Sequence, residues 1–104
     1  MGYMIVNDEA TEQEFLNDDK AIVLFTATWC GPCKAIKPLY EKLSNVNSIV
    51  KFYVVDVDER EEITKKFNIR SMPTFITIKN GKVINTCIGA NIKLVENLVN
   101  ELSL

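Results

Sequence analysis

Cys30 and Cys33 stand three positions apart in the run Trp29-Cys30-Gly31-Pro32-Cys33-Lys34. Two thiols at that spacing can close a small disulfide ring and reopen it, which carries two electrons. The apolar segment 21–27 before them reads as a buried strand, and the segment after them is helical in pattern. Cys30 therefore falls where a helix opens, with unpaired backbone N–H groups and the positive end of the helix dipole facing its sulfur, which favours the thiolate. Cys33, one turn further in on the same helical face, is expected to be less exposed. The roles follow: Cys30 attacks a disulfide, a mixed disulfide forms, and Cys33 releases the target by attacking Cys30. Gly31 is expected to give the turn backbone room, and Pro32 fixes φ and stiffens the ring. An inert thiol pair or half of a metal site is the competing reading of this motif.

Composition narrows the chemistry further. The chain has no histidine, which removes Ser-His-Asp and Cys-His catalysis together with the usual zinc ligands. Three cysteines cannot supply a four-thiolate zinc or iron–sulfur site within one chain. A net charge of −2 gives no footprint for nucleic acid or an anionic membrane. No apolar run approaches the roughly 18 residues of a spanning helix. The Met1-Gly2 start lacks a secretory pattern, and Val6 stands where a myristoylation signal wants Ser or Thr. The expectation is a cytoplasmic protein with one domain over 1–104, working as a monomer, in which a CxxC is a working redox pair.

The elements that must position the dithiol can be read in order. Thr11-Glu12-Gln13-Glu14 is a capping-box pattern expected to open a short helix to about Asp18, with Phe15 and Leu16 inward. The near-continuous apolar run of 21–27 suits a strand covered on both faces. A helix from near Cys33 to about Asn45 is expected to bury Ile36, Leu39, Tyr40 and Leu43, with Pro38 inside it. A second buried strand covers 50–57, followed by a polar helix from Glu59 to about Asn68 with Ile63 and Phe67 as its apolar contacts. The segment 74–78 alternates as a strand, and Asn80-Gly81 is a strong hairpin signal leading into a strand over 82–88. Asn91 caps a final helix with Val95, Leu98, Val99 and Leu102 in one stripe. The order is βαβαβαββα, an α/β three-layer sandwich with parallel strands first and an antiparallel hairpin last.

Over its whole length the chain resembles a thioredoxin. The carrying residues are the Trp29 to Lys34 motif, Pro38, Asp56-Val57-Asp58, Met72-Pro73-Thr74, Asn80-Gly81 and Gly89-Ala90-Asn91. The Phe25 to Trp29 run and the Gly89-Ala90-Asn91 end are closer to eukaryotic-type members. The resemblance implies the thioredoxin fold with a mixed five-stranded central sheet, and protein-disulfide reduction that serves cell redox homeostasis. It also implies recharging by thioredoxin reductase, an NADPH-dependent flavoprotein, and clients such as peroxiredoxins or reductases, with no cofactor bound to the chain itself. By the same resemblance Pro32 is linked to a reducing potential, and Pro73 is cis beside the dithiol. Met72 would then offer its backbone to the target; a plain loop proline is the alternative. Trp29, Met72, Ile88, Gly89 and Ala90 would form an apolar docking patch around Cys30, with Gly89 leaving room for the target.

One position departs from the family pattern. Thioredoxins generally carry a buried Asp in the strand before the motif, thought to take the proton of the resolving cysteine; here that position is Leu24. Asp56 or Lys37, working with solvent, would partly substitute, since Asp56 ends a strand parallel to 21–27 at the edge that bears the dithiol. The alternative is that Leu24 is core packing and Asp56 an ordinary strand end. Cys87 is either a buried small hydrophobe or a surface thiol. The run Asp56-Val57-Asp58-Glu59-Arg60-Glu61-Glu62 reads as a solvated strand end and helix start, because it lacks calcium-loop spacing. Three rival readings remain: a glutaredoxin-type enzyme, an oxidase or isomerase domain, and a binding module built on the same fold. The Gly31-Pro32 dipeptide argues against the first, and the absence of histidine in the motif against the second.

Overall fold

The computed structural model describes residues 2–104. Met1, the first residue of the 1–104 domain and of the Met1-Gly2 pair, lies outside them. The chain runs β1 (Met4–Ile5), α1 (Glu9–Leu16), β2 (Lys20–Thr26), α2 (Gly31–Val46), β3 (Lys51–Asp56), α3 (Glu61–Lys66), β4 (Thr74–Lys79), β5 (Lys82–Ile88) and α4 (Ile92–Ser103). The five strands form one sheet in the order β1-β3-β2-β4-β5. β1 and β2 pair with β3 in parallel, while β4 runs antiparallel to both β2 and β5. The expected α/β order and mixed sheet are the ones observed.

β2 lies inside the sheet with helices on both faces, which is why its apolar run is continuous rather than alternating. Val23 and Phe25 point into a layer with Phe15 of α1 and Ile63 of α3. Ile22 and Leu24 point into the opposite layer with Ile36 and Tyr40 of α2 and Val95 and Val99 of α4. Tyr40 reaches through that layer to the sheet, where its hydroxyl lies 2.8 Å from the Tyr53 carbonyl and 3.0 Å from that of Ile22. Asn80 and Gly81 both adopt positive φ, 52° and 77°, as a two-residue hairpin turn between antiparallel strands requires. Their N–H groups donate at 2.9 Å to the carbonyls of Asp19 and Asp18, which pins the hairpin to the turn before β2.

Several boundaries differ from expectation. The first helix is capped by Asp8, not Thr11: the Asp8 carboxylate accepts from the Thr11 N–H at 2.8 Å and the Thr11 hydroxyl at 2.7 Å. An aspartate three residues upstream offers the same cap geometry, so the helix starts earlier and ends at Leu16. α2 begins at Gly31 rather than near Cys33, because Cys30 itself serves as the cap. α3 is shorter than the expected Glu59 to Asn68 span, since the chain turns at 57–59 and again at 67–68 before and after it. Leu39, expected in the core, is 42% exposed on the outer face of α2, and Leu43 and Leu98 are only half-buried.

Candidate active site

β2 delivers the chain to one end of the sheet, and residues 27–29 turn it into α2. Cys30 keeps an extended backbone (φ −90°, ψ 110°), and its sulfur accepts from the Cys33 N–H at 3.2 Å. The sulfur thus takes the place of the oxygen that usually caps a helix, at the positive end of the helix dipole. Cys30 and Cys33 are joined as a disulfide with their Cα atoms 5.3 Å apart. Cys30 is 5% exposed and Cys33 1%, so Cys33 is the inner partner. Pro32 sits in the first turn of α2, where its missing N–H costs no helical bond. Gly31 is not there to relieve crowding, contrary to expectation. A Cβ on it would meet nothing within 4 Å, because the outer side of the ring is open.

Two further segments close on the dithiol. The Met72 carbonyl lies 3.6 Å from Cys30 Sγ, and the Met72–Pro73 peptide is cis. The Gly89 N–H donates to the Pro73 carbonyl at 2.9 Å, which draws the end of β5 to the same place. Gly89 has a φ of +104°, which favours glycine, and a Cβ there would project into open space. Around this point Trp29, Ile88 and Ala90 are exposed and Met72 is half-buried. The Trp29 indole donates from Nε1 to Asp58 Oδ2 at 2.8 Å. The sequence does not single out Asp58 as a site residue. Its only signal in the sequence is membership of the Asp56-Val57-Asp58 run, since the partner lies 29 residues away.

Beneath Cys33 an open cleft of about 530 Å³ is lined by Cys33, Thr26, Lys37, Val54, Asp56 and Glu59, among others. Asp56 and Lys37 are therefore both brought to the inner cysteine. Asp56 is half-buried, with Oδ1 accepting from the Asp58 N–H at 2.9 Å. Lys37 is half-buried, its ammonium 5.7 Å from the centre of the Tyr3 ring. Leu24 is fully buried, in register with Val54 on one side and Phe75 on the other. Cys87 is also buried, paired across the sheet with Phe75 and packed in the layer of α4; burial pushes its thiol up. Among the described residues, no group of three or more His, Cys, Asp or Glu side chains is placed to hold a metal ion.

A mixed five-stranded sheet that presents a dithiol at a helix mouth, faced by a cis proline, defines a thiol–disulfide oxidoreductase. The chain belongs to the thioredoxin family, whose model, "Thioredoxin", matches residues 2–102. It is 42% identical over 96 residues to thioredoxin 1 of Plasmodium falciparum, covering 91% of this chain and 92% of that protein. The crystal structure of Malassezia sympodialis thioredoxin superposes with a TM-score of 0.92 at 36% identity, over 100% of this chain and 94% of that one. A structure described for the thiol resolving mechanism of yeast mitochondrial 1-Cys peroxiredoxin via glutathione/thioredoxin systems matches with a TM-score of 0.88. There the identity is 33%, over 95% of this chain and 94% of that one. The protein is a protein-disulfide reductase whose redox-active pair is Cys30 and Cys33.

Proposed function

We propose that the protein, as one domain over 1–104, cycles electrons from a flavoprotein thioredoxin reductase, itself fed by NADPH, to disulfides in client proteins. The observation that carries this reading is the placement of Cys30 Sγ at the cap of α2 with Cys33 buried directly behind it. In the reduced protein the Cys30 thiolate attacks a target disulfide, and one target sulfur leaves as a thiolate. Cys33 then loses its proton to the cleft and attacks Cys30 Sγ. That step closes the Cys30–Cys33 disulfide and releases the second target thiolate, so two electrons have passed to the client. Trp29, Ile88, Gly89 and Ala90 supply an open face for an extended segment, and Met72 beside Pro73 offers its backbone to that segment. Gly31 and Pro32 hold the ring, and Asp56 and Lys37 set the charge around Cys33.

The similarity to the yeast protein studied with a 1-Cys peroxiredoxin supports peroxiredoxins as a client class. We place the protein in the cytoplasm as a monomer, on the ground that a cycling dithiol needs a reducing compartment. Dithiothreitol-driven reduction of insulin tests the reading. The wild type accelerates it, Cys30→Ser abolishes the acceleration, and Cys33→Ser traps clients as mixed disulfides that mass spectrometry identifies. Unchanged rates in Cys30→Ser would refute it, and failure of NADPH with thioredoxin reductase to replace dithiothreitol would refute the recharging step.

A further inference from the structure

Resolution of the mixed disulfide requires Cys33 to ionise while it is 1% exposed. Leu24, where the resemblance places an acid, is instead fully buried between Val54 and Phe75 and offers no titratable group. Ionisation must therefore be supported from the cleft. The charged groups that line it are Lys34 and Lys37 of α2, together with Asp56 and Glu59 at the end of β3 and in the turn after it. Lys34 projects from the exposed side of the first turn. Lys37 is different: its ammonium is stationed over the face of the Tyr3 ring, 5.7 Å from the centroid, within the range of a cation–π contact. Tyr3 in turn packs on Tyr40, with ring centres 6.3 Å apart. Tyr40 is anchored by its hydroxyl at the carbonyls of Tyr53 and Ile22. A continuous line of contacts thus runs from the sheet through Tyr40 and Tyr3 to the cation at the mouth of the Cys33 cleft.

We propose that Tyr3 is a positioning residue for the exchange reaction: it holds the Lys37 ammonium at the cleft, where that charge stabilises the Cys33 thiolate formed during resolution. The inference rests on Cys33 being the resolving thiol. A lysine on an exposed helix face ordinarily samples many rotamers, and a ring beneath its head restricts them. A fixed positive charge favours the ionised thiol, so resolution proceeds at lower pH than it would with Lys37 free or absent. The proton leaves to solvent in the cleft, and the Cys33 electron pair forms the bond to Cys30 Sγ as the target thiolate departs.

Single-turnover reaction of the reduced full chain with limiting dithiobis(nitrobenzoate) separates the steps by absorbance. The first nitrothiolate released reports attack by Cys30, and the second reports attack by Cys33 on the mixed disulfide. Lys37→Met is expected to move the pH midpoint of the second phase up by about half to one unit, slowing it roughly 3- to 10-fold below that midpoint, with the first phase little changed. Tyr3→Leu is expected to give part of the same shift, Tyr3→Phe, which keeps a ring face, to retain the wild-type midpoint, and Tyr3→Leu combined with Lys37→Met to match Lys37→Met alone. An unmoved midpoint in Lys37→Met overturns the proposal. So does a Tyr3→Leu effect that persists without Lys37, or a Tyr3→Phe variant that behaves like Tyr3→Leu. Absence of any second phase in the wild type would instead refute the assignment of Cys33 as the resolving thiol.

Discussion

Trp29 is 65% exposed, yet its indole is fixed by the Nε1 bond to Asp58. An exposed aromatic held in one orientation contributes contact area to a passing peptide without first losing rotamer freedom. Asp58→Ala releases that hold. The chain's one tryptophan should lose near-ultraviolet circular dichroism, and the KM for insulin reduction should rise about 2- to 5-fold, with kcat nearly unchanged, since a side-chain hydrogen bond is worth about 1 kcal/mol. An unaltered KM would mean that the indole finds its docking orientation without Asp58. Cys87, the remaining thiol, is buried against Phe75, and nothing in its surroundings favours ionisation. It packs as a small hydrophobe while the reactive pair works at the opposite charge environment of a helix cap.

At the scale of elements, β2 decides what kind of site this chain can build. Its Leu24 lies in register between Val54 and Phe75 in a largely apolar layer closed by α2 and α4. An aspartate at this position would be buried in largely apolar surroundings. Leu24→Asp should lower stability to urea by about 3–5 kcal/mol at pH 7, from lost packing and desolvation of the charge. Burial raises the pKa of such a carboxyl in the folded state above its unfolded value. The penalty is therefore smallest below the unfolded pKa of about 4 and grows as pH rises. Equal unfolding midpoints at pH 5 and pH 8 would show that the layer can solvate the charge.

Across the whole molecule, two of the three tyrosines tie layers together through their hydroxyls. Tyr40 connects α2 to the sheet, and Tyr53 connects β3 to Asp18 in the turn before β2, where Lys51 also lies 3.6 Å from that carboxylate. Burial pushes both phenols up, and Asp18 adds to the effect at Tyr53. Groups whose pKa is raised on folding stabilise the fold at pH values below their unfolded pKa, here 10.0, and that stability drains away above it. Alkaline titration followed at 295 nm should show two tyrosines ionising only together with the loss of far-ultraviolet circular dichroism. Ionisation of all three before unfolding would show that these contacts do not hold the layers.

The dithiol, its strand-to-helix setting, the Asn80-Gly81 hairpin and the helix periodicities are local patterns, and local patterns are legible along a chain. Cys30 as the cap of α2 follows from the same kind of reading, because capping involves residues only three apart. The cap at Asp8 is less legible, since Asp8 and Thr11 stand three apart and both offer a side-chain oxygen. The Trp29–Asp58 bond, the station of Lys37 over Tyr3, and the setting of Leu24 between Val54 and Phe75 join residues from separate elements. Strand order and register create those neighbours, and no spacing within one segment encodes them. The sequence by itself determined which chemistry the chain performs. Tertiary structure decided which charges surround the inner sulfur, because electrostatic influence depends on distance in space and not along the chain.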